Sequence, residues 1–157
     1  MTESNSRLVV FTAQSKQYFY CRDAVCEYVL KQGMVPLNPF RVFEYFLGDR
    51  VQRDSVRSGN NELIKVSAEL WVFGQTIADG VLAEILLARA IQKPVRFFNI
   101  DASAEKIHPI DPATVEFERP VYARNRGKKV RELRAMVLGR MPGEPEQTGL
   151  FDGADDE

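Results

Sequence analysis

The stretch 69–100, ELWVFGQTIADGVLAEILLARAIQKPVRFFNI, constrains the fold more than any other part of the chain. It reads as strand, loop, helix, strand. An apolar run at 70–73 ends at Gly74, and a polar loop carries Asp79 and Gly80. A nearly all-apolar helix follows, then Lys93-Pro94 and a second apolar run at 95–100. Two apolar strands joined through a helix form a parallel pair with a right-handed crossover, and such a sheet needs cover on both faces. One acid, Glu84, sits in what reads as the first turn of that helix, among Val81, Leu82, Ala83, Ile85, Leu86 and Leu87.

The flanking sequence extends this unit. Residues 8–12 form a short apolar run with β-branched residues, which predicts a buried strand. Ser15 is placed to cap a helix running to about Gln32, with Tyr18, Cys21, Val25 and Tyr28 on one face and Cys26, Val29 and Leu30 widening it. Gly33 stops it. Residues 34–37 predict a second strand, and Pro36 assigns it to an edge, because proline cannot donate to the ladder. Phe40, Phe43, Phe46 and Leu47 predict a short helix, and the charged stretch with Asp49, Arg50, Arg53, Asp54 and Arg57 a loop. A helix opening at Asn60 or Asn61 then leads into the third strand. After Asp101 come Pro109, Pro112 and Pro120, with a short strand expected at 114–117. Residues 127–138 predict an amphipathic helix, with Val130, Leu133 and Val137 on one face and Gly139 as its stop.

The expected architecture is therefore α/β: a flavodoxin- or Rossmann-like three-layer sandwich with strand order about 2-1-3-4, a fifth strand being optional. One domain spans 1–140, with a core at 7–100 and a C-terminal extension at 101–140; an acidic tail at 141–157 has the composition of a disordered segment. The first strand beside the third creates a topological switch point, where ligands bind at the carboxyl ends of the strands. The loops there hold Thr12, Gln14 and Ser15, then Asn38 and Phe40, then Gly74 to Gly80. Thr12, Gln14, Tyr18, Asn38, Phe40, Gly74 and Gly80 are the candidate substrate-binding residues. Capping and turn roles are the plainer reading of the polar ones. Arg22, Arg53 and Arg57 could meet a phosphate, but a surface charge is the plainer reading of each.

Composition excludes several classes. No run approaches the roughly 18 apolar residues of a membrane span, and MTESNSR has no basic-then-apolar leader signature. A cytoplasmic chain without a membrane partner is expected. Cys21 and Cys26 have neither zinc-knuckle nor redox-pair spacing, and the single His108 leaves no histidine-based metal site, so neither metal nor cofactor is expected. No P-loop or GxGxxG is present. The net charge of -1 hides an asymmetry. Arg119, Arg124, Arg126, Lys128, Lys129, Arg131, Arg134 and Arg140 face only Glu118 and Glu132, whereas the stretch from Met141 onward carries six acids and no base. Such a basic run could hold nucleic acid or phosphate; a solvated helix face is the commoner outcome.

An acid in a first helical turn is favoured by the helix dipole, worth a few tenths to ~1 kcal/mol. Glu84, however, shares its face with the small Gly80 and Ala88, has apolar neighbours on its other sides, and faces the predicted crevice. A carboxylate there could be a nucleophile, a general base or an acceptor for a ligand hydroxyl. Asp79 is a turn residue or a general acid. The run Gly80-Val-Leu-Ala-Glu84, the alanine-rich helix and Lys93-Pro94-Val95 resemble the nucleoside 2-deoxyribosyltransferase-like superfamily, which includes the 2'-deoxynucleoside 5'-monophosphate N-glycosidases. Glu69-Leu-Trp-Val-Phe-Gly74, Leu37-Asn-Pro39 and the aromatic stretch to Leu47 resemble an uncharacterised bacterial and phage branch of it. The resemblance implies that Glu84 attacks the anomeric carbon of a deoxynucleoside or its monophosphate, and that water or a second base releases the sugar. It places Asn61 where the superfamily has an aspartate, and Val10 where it has a tyrosine, for which Tyr18 is a possible substitute. It also implies assembly into oligomers. The rival reading is a nucleotide-binding or sensing domain without turnover. In the tail, Gln147, Leu150 and Phe151 fit the Gln-x-x-Leu-Phe peptide that docks on the bacterial sliding clamp.

Overall fold

The structure is a computed structural model and describes residues 6–43 and 50–140. In chain order the elements are β1 (Val9–Gln14), α1 (Arg22–Lys31), β2 (Val35–Leu37), α2 (Pro39–Val42), α3 (Arg53–Val66), β3 (Glu69–Phe73), β4 (Thr76–Ile77), α4 (Asp79–Ala90), β5 (Val95–Phe98), β6 (Glu116–Phe117), α5 (Arg119–Arg124) and α6 (Val130–Val137). β2, β1, β3 and β5 form a parallel sheet in that order. The chain is thus a Rossmann-like α/β sandwich. Pro36 lies in the edge strand, opposite Val10, where its missing donor costs no ladder bond. β1 and β3 are central, with Gln14 level with Phe73 at their carboxyl ends.

Alternation along the strands divides the core into two layers. Phe11, Ala13, Leu70, Val72 and Phe97 pack with Ile64 of α3, with Val81, Leu82, Ile85 and Ala88 of α4, and with Leu133 and Val137 of α6. Val10, Trp71, Phe73 and Phe98 pack on the other side with Val25, Tyr28 and Val29 of α1 and with Ala104 and Ile107. Phe98 stacks on Phe73 at 5.0 Å. The extension is part of the first layer, since Val115, Phe117, Val121, Leu133 and Val137 are all buried there. The amphipathic pattern at 127–138 is realised as α6, and Gly139 follows it at φ 73°.

Several expectations need correction. Ser15 does cap, accepting from the Gln17 amide, but the first turns, Lys16–Cys21, are 3-10 and the α-helix proper starts at Arg22. Tyr18 is only half-buried, and Leu30 is exposed. The charged stretch at 53–59 is no loop: α3 opens at Arg53, a full two turns before the asparagines. Its charged residues lie on the solvent side. Gly59, unfavourable inside a helix on propensity alone, has a tertiary reason. A Cβ on Gly59 would come within 2.8 Å of the Phe43 ring, so the glycine lets that ring lie on the helix. No fifth strand joins the main sheet among the described residues. β6 pairs with β4 instead, forming a separate two-stranded ribbon. Phe46, Leu47 and Asp49 lie outside the described residues, as does the tail motif of Gln147, Leu150 and Phe151. Among the described residues no helix is long and apolar enough to cross a membrane.

Candidate functional site

The carboxyl ends of β1, β2 and β3 gather most of the residues singled out from sequence. Gln14 ends β1 and donates from Nε2 to the Tyr18 carbonyl at 2.7 Å. Its Oε1 accepts from Asn38 Nδ2 at 2.9 Å. Asn38 in turn accepts from the Phe40 amide through Oδ1 at 2.9 Å, capping α2. Gln14 and Asn38 are both buried. Gln14, Tyr18, Asn38 and Phe40 thus form one satisfied network holding the ends of β1 and β2 together. Thr12 sits one pleat further into the sheet, fully buried, and its Oγ1 has no partner. Gly74 leaves β3 at φ 116°, a backbone region that side chains disfavour, so glycine is required for this exit from the strand.

α4 begins at Asp79, two residues earlier than the sequence predicts. Asp79 therefore holds the first-turn position that the helix dipole favours, and Arg124 of α5 pairs with it at 3.1 Å. This is a helix-terminal and bracing role. Glu84 lies in the second turn, beyond the part of the helix where the dipole acts strongly.

The surroundings of Glu84 follow from helix geometry at about 100° per residue. Val81, Leu82 and Ile85 face the sheet. Arg89 bonds the Val137 carbonyl at 3.1 Å, and Asp79 pairs with Arg124, so α5 and α6 cover one flank. Glu84 falls on the opposite flank, the one toward α3, which packs beside α4. Along this flank Gly80 is exposed, Glu84 half-buried and Ala88 buried. A Cβ on Gly80 would meet open space. The Glu84 carboxylate has no hydrogen bond or ion pair among the described residues. Burial among apolar atoms pushes its carboxyl up to about 8, although part of the residue reaches solvent. Glu69 is the contrast. Burial alone would raise it, but hydrogen bonds from Arg96 at 2.6 Å and Trp71 at 3.1 Å outweigh burial and hold it lowered.

Asn61 is exposed on α3. Its neighbour Asn60, one turn before the buried Ile64, is half-buried and keeps a buried Oδ1 with no partner. Asn60 rather than Asn61 is thus the asparagine turned inward, since one residue on a helix is a turn of about 100°. Val10 is fully buried on the α1 side of the sheet, the face opposite Glu84. Arg22 lies over the Phe19 ring at 4.1 Å and donates to the Phe19 carbonyl; Arg53 and Arg57 are exposed. The basic run is partly committed as well, Arg134 donating to the Val115 carbonyl at 2.8 Å.

A family model described as a domain of unknown function (DUF7768) matches residues 11–98. The chain belongs to this family. The DUF7768 match begins inside β1 and ends with the last residue of β5, so it contains the whole sheet edge, α3 and Glu84. It leaves out the extension. No curated protein matches the chain.

Proposed function

We propose that the crevice at the carboxyl ends of β1 and β3 binds a nucleoside or nucleotide, and that the chain is an N-glycosidase or deoxyribosyltransferase with Glu84 as nucleophile. The observation that carries this reading is the Glu84 carboxylate itself: half-buried, unpaired among the described residues, and on a helix flank that opens at Gly80. A poorly solvated carboxylate gains reactivity when it ionises, and no other described residue engages this one. The likeness of the Gly80-to-Glu84 run to the deoxyribosyltransferase-like superfamily supports the same assignment. In the first step a Glu84 oxygen bonds to C1' as the C1'–N bond breaks, and the base leaves with a proton from solvent. In the second, water or another base attacks C1', and the ester bond to Glu84 breaks.

A second reading has its own support. With its carboxyl pushed up to about 8, Glu84 is mostly protonated at neutral pH and is then a hydrogen-bond donor. Asn61 is turned to solvent. Both fit a domain that binds a nucleotide without cleaving it. Chromatographic assay of free base released from the four deoxynucleosides and their 5'-monophosphates separates the two. The expected result is release by the wild type and, from loss of the nucleophile, at least a ~10³-fold slower rate in Glu84→Ala. Ligand-induced thermal shift with no release supports binding alone.

The proposal extends to setting and assembly. Free thiols at Cys21 and Cys26, both pushed up by burial, suit a reducing cytoplasm. Exposed Leu8, Leu30 and Val35 beside the β2 edge suit contact with a second copy.

A further inference from the structure

The extension brings a second acid to the carboxyl ends of β1 and β3. Glu118 follows β6, and its amide donates to the Ile77 carbonyl at 3.0 Å, just before α4 begins. Two residues earlier, the Glu116 amide donates to the Gln75 carbonyl at 2.9 Å. The segment is therefore strapped to the loop that leaves β3. From there Glu118 Oε2 accepts from Ser15 Oγ at 2.6 Å. Ser15 immediately follows β1 and is buried. Its backbone is still extended, at φ -66° and ψ 147°, so alternation turns its side chain to the α4 side of the sheet. This one bond spans the switch point from the β3 side to the β1 side. The Glu118 carboxylate has no other hydrogen bond or ion pair among the described residues, so Oε1 keeps its acceptor capacity. Arg124, farther along on α5, is already paired with Asp79.

We infer that Glu118, tethered by Ser15, is a ligand-contacting carboxylate of the crevice, accepting a hydrogen bond from a sugar hydroxyl and turning away a phosphate. The inference rests on the proposed nucleoside site and narrows it: the substrate class is the unphosphorylated nucleoside. A fixed carboxylate and a phosphate in one cleft repel, whereas a hydroxyl donates to the carboxylate in a charge-assisted bond.

The test compares the four deoxynucleosides with their 5'-monophosphates at pH 7. Affinity is read by thermal shift, or as KM where base is released. The wild type is expected to favour a nucleoside over its monophosphate by ~10-fold or more, and Glu118→Gln to shrink that preference to about 3-fold or less, the loss of one charge-assisted contact. The amide oxygen introduced by this substitution still accepts from Ser15, so the unliganded Tm is expected to stay put. A wild type that takes the monophosphate as well as the nucleoside overturns the inference, and so does an unchanged preference in the variant. Both outcomes leave the nucleoside site standing. If the wild type binds neither class, the site reading fails and this inference with it. Should Glu118→Gln unfold, Ser15→Ala keeps the charge but releases its tether: weaker nucleoside binding supports the inference, and unaltered binding sinks it.

Discussion

Glu84 sets a pH dependence at the scale of one residue. Its folded carboxyl holds a proton up to about pH 8, whereas the unfolded one loses it near the ordinary 4.5. Between those values folded chains bind more protons than unfolded ones. The stability contribution is thus complete below about pH 4.5 and declines as pH rises through about 8. The total decline is on the order of 2–4 kcal/mol, after allowing for the carboxyl's partial access to solvent. Urea unfolding from about pH 5 to 8.5 is expected to show this slope in the wild type and a much flatter one in Glu84→Gln; parallel slopes refute it. The proposed catalysis has the opposite sign. A nucleophilic Glu84 must be ionised, so base release is expected to climb with pH from about 6 to beyond 8. A rate that is flat across that range denies Glu84 the role.

At the scale of the element, α4 carries the proposed site through its gradient of side-chain size. Gly80, Glu84 and Ala88 lie one turn apart on one flank, from open to half-buried to buried. Nothing lies within 4 Å of a Cβ built on Gly80. Gly80→Ala is therefore expected to fold well and to gain up to about 0.5–1 kcal/mol from the reduced freedom of the unfolded chain. If the space above Gly80 admits a ligand, the added methyl also weakens nucleoside binding. Urea midpoints and ligand thermal shifts on the same variant separate these effects. Stabilisation with intact binding would show that the ligand does not use that flank.

At the scale of the whole molecule, binding tests the proposed clamp-docking segment of Gln147, Leu150 and Phe151. The full chain is expected to pull down the bacterial sliding clamp, and Leu150→Ala/Phe151→Ala to lose it, since two adjacent apolar anchors carry such a peptide. Equal recovery of clamp by both removes the idea. Within the domain, the strand order could be read from the chain because parallel strands buried on both faces are continuous apolar runs, and because Pro36 marks an edge. α6 was legible through Val130, Leu133 and Val137. The start of α3 was not, because Gly59 serves a contact with Phe43, a residue from an earlier part of the chain. The β4–β6 ribbon was not either, since two-residue strands have too little pattern to announce their partner.

By itself the sequence determined the sheet, its order and an acid on the helix after its third strand, because hydrophobic periodicity is a local property that burial enforces. Only the tertiary structure decided which polar groups are committed. It paired Asp79 with Arg124, closed Gln14 and Asn38 onto each other, turned Asn61 to solvent, and left Glu84 without a partner among the described residues. It also brought Glu118 to Ser15 across 103 residues of chain. The reason is physical: a side chain's charge state and partners depend on what packs around it, and those neighbours come from distant parts of the chain.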